Sequence, residues 1–495
     1  MKNEEFATAR RTVKFVCCVL CMMHCAVVSA QQPVRLDMER AFQLATDSNI
    51  TADRYRSVFQ EAHYTWLSWM AGRKPQIALN STPLQYEQYL LQRYVSDTDN
   101  DEYREQKHFF SSVSLQAQQV MERWGGSFYA STGLSYLGNY GDHIQHQFAT
   151  IPVRVGYKQE LLGYNPYRWN RQTEPMRLSV ARQQMNYSVE QTGVEAVKRF
   201  FTLAVAQEQL RMAQEQLKSC DTILAIGNRR FHIASISKAE LEILALQRSL
   251  ATTSLKSAQL SHQKASRSLA AWLGMDEMTP LELIVPSVLP HLSVTIDEAI
   301  GQATQHNPNY LSMELKELEA RRDAEQLKRK KGLNTSIDAS IGLNQVSDRF
   351  EHAYRSPLVQ NQVTVNLTVP ISDHGKKRNA WLAAQSKVET AARQRQEQRR
   401  DTELDIAQTV AEVNQRQSMV DDTRRSLQIA EDAYTAMLQR FIRGQATVND
   451  LSLAQQYWQE ARRSQITALQ DFWNSYYHLR QLTLYDFLKR QPIHH

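Results

Sequence analysis

Residue types that could perform chemistry are scattered through this 495-residue chain and form no recognised catalytic pattern. The sequence contains no glycine-rich phosphate loop, no His-Glu-x-x-His zinc helix and no Gly-x-Ser-x-Gly nucleophile turn. A secreted hydrolase, one alternative, would need such a constellation. We therefore predict that the protein is not an enzyme and has no catalytic residue, cofactor or metal ion.

Two short segments share one spacing, in which a hydroxyl residue is followed by an acid three positions later. They are Ser237 with Glu240 and Thr447 with Asp450. This is the capping-box spacing, in which the two side chains satisfy backbone N–H groups at a helix start. An acid in this position is also stabilised by the helix dipole. Each pair therefore predicts a helix start that carries a carboxylate.

The elements that position these segments occur twice in the same order, which indicates an internal repeat. Each copy has a short helix, then strands, then a long helical hairpin. We assign a cleaved signal peptide to residues 1–30, the first repeat to 31–290, the second repeat to 291–488 and a C-terminal tail to 489–495.

Both copies contain segments in which apolar and polar residues alternate, a pattern typical of half-buried strands. The first copy has four such segments against two in the second, so we predict an extra hairpin near 110–138 that turns at Trp124-Gly125-Gly126. A soluble β-sandwich would alternate similarly, but the two helical hairpins favour membrane-spanning strands. The segments begin near residues 77, 113, 128 and 151, and near 337 and 363.

The helical hairpins are predicted from unusually long segments without helix breakers. Residues 376–443 contain neither glycine nor proline, enough for a helix on the order of 100 Å at ~1.5 Å per residue. Apolar residues recur at heptad-like spacing over 406–441, which predicts coiled-coil packing. A second helix follows Gly444, and the first copy has its matching turn between Arg230 and Ser237.

The first thirty residues have the layout of a secretory signal, with a basic start, an apolar stretch over 15–28 and small residues ending at Ala30. About 14 apolar residues are fewer than the roughly 20 of a membrane-spanning helix, which disfavours a single anchor. Lipidation is disfavoured because neither Cys21 nor Cys25 follows a small residue.

The mature chain would keep one cysteine, Cys220, so an intrachain disulfide is excluded. Its net charge falls from +6 to +4 because four basic and two acidic residues leave with the signal. Such a mild excess argues against a nucleic-acid partner. No later apolar run approaches 18 residues, so membrane insertion is expected through β-strands that several copies share, since about eight strands are needed to close a barrel.

With these features together, the chain resembles the TolC-like family of outer-membrane efflux proteins over nearly its whole mature length. The most specific match is the turn of the second helical hairpin, where an aromatic residue, a glycine, a Ser/Thr and an acid-Leu pair follow in order. The first copy matches 210 positions earlier, with alanine in place of glycine. The matched tip residues are Arg440, Phe441, Gly444 and Thr447, and Arg230, Phe231, Ala234 and Ser237.

The resemblance implies an α+β membrane protein with two structural repeats. Its long antiparallel α-helical hairpins would form a coiled-coil tunnel, and its transmembrane β-strands would contribute to a shared trimeric β-barrel of twelve strands. The implied function is a passive export duct, the outer-membrane channel of a tripartite efflux or type I secretion system. The implied partners are two further copies in a homotrimer, a periplasmic adaptor (membrane fusion protein), an inner-membrane transporter and outer-membrane lipid.

The resemblance also implies roles for the tip residues. In the family the tips face the adaptor in the periplasm, and acids beyond the turn ring the periplasmic aperture of the channel. Carried over to this sequence, the aperture acids are Asp450 and Glu240, and the eight tip residues contact the adaptor. Well-known members have a further acid at the position of Leu453, so we expect a less negative aperture. A periplasmic coiled-coil adaptor or structural protein is the alternative function.

Overall fold

The computed structural model describes residues 34–95, 99–140, 145–233, 236–286 and 289–495. The predicted signal peptide and the tip residue Ala234 lie outside the described residues. Where described, the chain divides into two compact units. The helical unit contains the residues up to Arg54, Ser188–Ala299 and Gln408–Ile493, and the sheet unit contains Tyr55–Tyr187, Ile300–Ala407 and the last two residues.

Eight α-helices lie within the described residues, and two pairs of them form the predicted helical hairpins. The first hairpin joins α3 to α4, and the second joins α7 to α8. The helices are α1 (Met38–Ser48), α2 (Ile50–Gly72), α3 (Pro166–His232), α4 (Lys238–Trp272), α5 (Ile296–His306), α6 (Pro308–Lys331), α7 (Lys376–Ile442) and α8 (Val448–Thr483).

Six long strands form one antiparallel sheet in the sheet unit, in the order β2-β3-β4-β5-β7-β8. Two small pairs, β1 with β6 and β9 with β10, belong to the helical unit. The strands are β1 (Val34–Asp37), β2 (Gln76–Val95), β3 (Asn100–Met121), β4 (Gly126–Asn139), β5 (Gln145–Glu160), β6 (Leu281–Ile284), β7 (Asn334–Ser347), β8 (Leu358–Thr368), β9 (Tyr485–Asp486) and β10 (Gln491–Pro492).

The number of strands departs from what the resemblance implies. A twelve-stranded trimer would need four strands from each chain, whereas this sheet has six. The surplus strands of the first copy do not extend a loop but continue the sheet. Because β4 and β5 lie between β3 and the second-copy strand β7, the additional strands at the edge are β2 and β3. The predicted turn after Trp124 is the β3–β4 turn, in which Gly125 has a positive φ of 78°.

The predicted alternation gives the sheet one apolar and one polar face. Residues directly opposite one another in neighbouring strands lie on the same face. The apolar face carries Ile77, Leu79, Val113, Leu115, Phe128, Leu134, Val155, Tyr157, Ile337, Ile341, Val363, Val365 and Leu367. The polar face carries Gln76, Asn80, Gln116, Gln118, Ser131, Arg154, Asp338, Ser340, Gln362 and Thr364.

Four helices, α2, α3, α6 and α7, join the strands at one end of the sheet. There the α2–β2 connection is fixed to the β3–β4 turn by an ion pair between Arg73 and Glu122. Gln119 also donates a side-chain hydrogen bond to the Arg73 carbonyl at 2.9 Å. The Glu122 carbonyl accepts a further hydrogen bond from Asn165, just before α3, at 2.9 Å. The basic run at 328–331 closes α6 at the same end.

The heptad pattern of α7 is confirmed in the helical unit, where Val410, Val413 and Val420 are buried. The helical unit also contains a buried ionic cluster. Arg480 pairs with Glu190 at 2.6 Å and with Asp486 at 3.2 Å. Burial alone would lower the pKa of Arg480, but the nearby carboxylates outweigh it and raise the pKa.

The C-terminal tail is folded against the helical unit. Asp486 of β9 accepts a hydrogen bond from the buried Tyr476 hydroxyl at 2.7 Å, and β10 pairs with β9. Ile493 is buried and donates its backbone N–H to the Leu484 carbonyl at 2.9 Å. As for the helices of the described ranges, none combines the length and apolar composition that crossing a membrane requires.

A pair of glycine substitutions tests the packing of α1 on α3. Gly193 of α3 is buried, and an added Cβ would overlap the ring of Phe42 on α1. We expect Gly193→Ala to lower the free energy of unfolding by about 1–3 kcal/mol through overpacking. Gly301 in α5 has open space around it. Gly301→Ala should therefore raise the stability by about 0.5–1 kcal/mol, because alanine favours the helix.

Thermal unfolding of both variants in detergent, followed by circular dichroism, measures these changes. Opposite shifts of the two midpoints are expected. A Gly193→Ala protein as stable as Gly301→Ala would contradict the close α1–α3 packing.

Candidate functional site

The turn between α7 and α8 shows why its residue types are needed. Gly444 has a positive φ of 81°, a conformation that glycine adopts without penalty. Its N–H donates to the Phe441 carbonyl at 3.0 Å, and the Gln445 N–H donates to the Arg440 carbonyl at 2.9 Å. These two hydrogen bonds form a Schellman motif, which ends α7 and reverses the chain.

Both predicted capping boxes are confirmed. At the start of α8, the Thr447 hydroxyl oxygen accepts a hydrogen bond from the Asp450 N–H at 3.2 Å, and the Asp450 carboxylate accepts one from the Thr447 N–H at 3.0 Å. At the start of α4, Ser237 and Glu240 make the same exchange at 3.2 and 2.7 Å. The two acids are therefore held in equivalent positions in both copies.

These hydrogen bonds keep both acids ionised. The hydroxyl and the backbone N–H of Thr447 lower the pKa of Asp450, because they favour the charged carboxylate. The backbone N–H and the hydroxyl of Ser237 lower the pKa of Glu240 in the same way. Asp450 is exposed and Glu240 is partly exposed. Each hairpin tip thus presents a fixed negative charge to solvent at neutral pH.

The four helix ends at the tips meet in one buried cluster. Each helix contributes one buried residue, namely Ile223 from α3, Leu244 from α4, Phe441 from α7 and Leu451 from α8. Because each side chain needs the other three to exclude water, this cluster holds the two hairpins together at their tips.

Arg230 forms a direct bridge between the first-copy tip and the second. Its guanidinium lies 4.8 Å from the centre of the Phe441 ring, and its Nη2 donates to the Phe441 carbonyl at 2.6 Å. The Phe441 ring is only 1% exposed, whereas its repeat counterpart Phe231 is 38% exposed. Phe441 therefore supports the tip from inside, and Phe231, Arg440 and Gly444 lie on its surface.

A second contact between the hairpins is made by Arg462 of α8, which an aromatic pair of the second hairpin positions. It is not apparent from sequence spacing. The rings of Tyr434 and Trp458 stack with their centres 4.9 Å apart, and the Arg462 guanidinium lies 4.9 Å from the Trp458 ring. Arg462 is buried and pairs with Glu208 of α3 at 2.7 Å and with Glu215 of α3 at 2.5 Å. The heptad position of Tyr434 is the single sequence signal for this group.

No cofactor chemistry is evident at the tips. In the part of the chain that the structure describes, no three His, Cys, Asp or Glu side chains are grouped so that they could hold a metal ion. Cys220 is buried on α3, and burial raises the pKa of its thiol, which makes it a poor nucleophile. The site consists of two fixed carboxylates on a rigid four-helix tip.

Comparison with known proteins gives a family match over part of the chain and a fold for nearly all of it. The family described as "Outer membrane efflux protein" matches residues 299–483, which lie in the second repeat. No curated protein sequence matches the chain.

Solved structures match over nearly the whole chain. The CmeC outer membrane channel of Campylobacter jejuni has a TM-score of 0.66 at 13% identity, covering 90% of this chain and 85% of that one. A membrane protein from Pseudomonas aeruginosa has a TM-score of 0.65 at 14% identity, covering 90% of both chains. The outer membrane protein VceC of Vibrio cholerae has a TM-score of 0.64 at 13% identity, covering 91% of this chain and 95% of that one.

At such identities the structures establish the fold, and the sequence match to the family covers residues 299–483, less than half of the chain. The long helical hairpins, the antiparallel sheet and the hairpin-tip motifs agree with both. Residues 299–483 are similar to the outer membrane efflux protein family, and the fold of the chain is similar to that of solved outer membrane channels.

Proposed function

We propose that this protein is the outer-membrane channel component of a tripartite efflux or type I secretion system. Three copies form a passive duct, with the sheet in the outer membrane and the helical hairpins in the periplasm. An inner-membrane transporter supplies the energy and chooses the substrate. A periplasmic adaptor connects that transporter to the hairpin tips.

The observation that carries this proposal is the two-faced sheet. Large apolar side chains such as Ile341, Val363 and Val365 are exposed on one face, as lipid contact requires. The opposite face is polar and hydrogen-bonded, for example where the Tyr129 hydroxyl donates to Asp338 at 2.9 Å. An apolar outer face and a wet inner face are what a membrane conduit needs. A periplasmic adaptor would not need the apolar face.

The helices support an assembly of several copies. Ile243, Leu246 and Leu250 of α4 are exposed in a single chain and follow one another at heptad spacing. Such a stripe favours packing against another helix. In a trimer, α4 of each copy would bury this stripe against its neighbour and complete the wall of the duct.

The hairpin tips support the two roles implied for them. Six carboxylates, from Asp450 and Glu240 of three copies, would surround the narrow end of the duct and favour cations there. The exposed tip residues Phe231, Arg440 and Gly444 would contact the adaptor, while the buried Phe441 would act indirectly by holding the tip in shape.

Single-channel recording in planar bilayers tests the duct and separates charge from capping. Asp450→Asn and Glu240→Gln remove the charge but keep an oxygen that can accept the cap hydrogen bond. We expect discrete openings from the wild-type protein and a loss of cation preference of several fold in the double variant. Thr447→Ala and Ser237→Ala are the matched controls, because they remove the capping hydroxyl and keep both acids. They should leave the selectivity intact while destabilising each helix start by about 0.5–2 kcal/mol.

Two results would argue against this assignment. If the charge variants have the same selectivity as the wild-type protein, the acids do not act at the aperture, and capping is their one role. A mature protein that stays in solution without detergent and never conducts would favour the adaptor or structural function.

The pH dependence of the selectivity follows from the lowered pKa values. A carboxylate whose pKa is lowered by folding keeps its charge, and stabilises the fold, until the pH falls through that lowered value. The ordinary pKa values are 3.8 for Asp and 4.5 for Glu, and the pKa values of Asp450 and Glu240 lie below them. We expect reversal potentials in a KCl gradient to be the same at pH 7 and pH 5 and to decline only in more acidic solution. A transition between pH 5 and pH 7 would assign the selectivity to other groups.

A further inference from the structure

The sheet has two open edges, formed by β2 and β8. In the part of the chain that is described, β2 pairs with β3 alone, and β8 pairs with β7 alone. Unpaired backbone N–H and C=O groups are too costly to expose to lipid, so both edges need a partner strand. Building on the duct proposed above, we propose that β2 of one copy pairs with β8 of the next. The trimer then closes a barrel of eighteen strands, and the β2–β3 hairpin is part of its wall.

The direction of the strands permits this closure. Neighbouring strands in the sheet are all antiparallel, and a copy contributes an even number of them. The first strand, β2, therefore runs opposite to the last strand, β8. A neighbour's β2 placed beside β8 continues the antiparallel order without a break.

The stagger of the strands also agrees with a closed barrel. Directly opposed residues can be followed from strand to strand across the sheet. The row that starts at Gln76, the first residue of β2, reaches β8 at Gln362. Thr368, where β8 ends beside the helices, lies six residues further on. At ~3.3 Å per residue and ~4.8 Å between strands, this offset over five strand spacings corresponds to a tilt of about 40°. Membrane barrels have strand tilts of about 35–45°.

The side chains of β2 and β3 suit a membrane wall. Ile77 and Leu79 of β2 are 70% and 68% exposed and lie on the apolar face. The other face of the same strands carries Gln76, Asn80 and Gln116. A hairpin lying outside the barrel in water would leave these large apolar side chains exposed, whereas lipid covers them in the wall.

A twelve-stranded barrel would require the neighbour's β8 to pair with β4. That edge of β4 is already occupied, because β3 pairs with β4 from Met121 opposite Gly126 to His108 opposite Asn139. Twelve-stranded closure would break this entire ladder. A barrel of eighteen strands keeps the β3–β4 ladder. Its diameter is larger than that of a twelve-stranded barrel by about half, since diameter grows nearly linearly with strand number.

Disulfide cross-linking between copies tests which strands meet. In a Cys220→Ser background, Leu79→Cys is combined in turn with Val363→Cys, Val365→Cys and Leu367→Cys. We expect at least one of the three pairs to give covalent dimers and trimers on non-reducing gels after mild oxidation in outer membranes. Asn80→Cys with Val365→Cys is the matched control, because these residues lie on opposite faces and should not cross-link.

A second set of cysteine pairs tests the twelve-stranded arrangement. In this set Ala130→Cys of β4 replaces Leu79→Cys, and the three β8 positions stay the same. A deletion of residues 76–121 removes β2 and β3 and leaves a sheet of four strands. These ends are chosen because the Arg73–Glu122 ion pair already holds the flanking residues together. In that variant β4 becomes the edge, and cross-linking should move from β2 to β4.

The outcomes separate this inference from the proposed function. Cross-links between β2 and β8 in the full chain support eighteen strands. Cross-links between β4 and β8 in the full chain, or none from either set in a protein that conducts, would overturn the inference while leaving the duct in place. A protein that neither conducts nor forms oligomers would overturn both.

Discussion

In the proposed duct, the backbone hydrogen bond and the cost of leaving it unmade in lipid govern the rest of the structure. In the described part of a single chain, the sheet has six strands with edges at β2 and β8, too few to close on themselves. Exposed apolar side chains on one sheet face and polar side chains on the other are consistent with a wall between lipid and water. In the proposed duct, the need for neighbouring copies therefore arises from the backbone itself, before any particular side-chain contact between chains is considered.

At the hairpin tips, the same two carboxylates stabilise the helix starts and carry the negative charge. Asp450 and Glu240 complete capping boxes, which satisfy free N–H groups at two helix starts. The same hydrogen bonds hold the carboxylates ionised and fixed in position. Arg230 and the buried cluster around Phe441 then keep the four helix ends together. In the proposed duct, a charge held in place by these contacts is suited to act on passing ions, because it costs little to reorganise.

The two copies of the repeat share an order of elements but not every role. Within the described residues, the first copy contributes four strands to the six-stranded sheet and the second contributes two. Phe441 is buried, in the cluster at the tip and under Arg230, while Phe231 is exposed. Repeats that pack against each other in one chain meet different surroundings, so equivalent positions diverge in burial.

The sequence by itself determined the elements and their faces, because periods of two and three to four residues are local properties of the chain. It predicted the long helices, the alternating strands, the capping boxes and the glycine turn at Gly444. Only the tertiary structure decided the strand order, which places β2 and β3 at the sheet edge and not in a loop. It also decided the burial of Phe441 and the pairing of Arg462 with Glu208. These depend on contacts between residues that are far apart in the chain, and no local spacing encodes which distant surfaces meet.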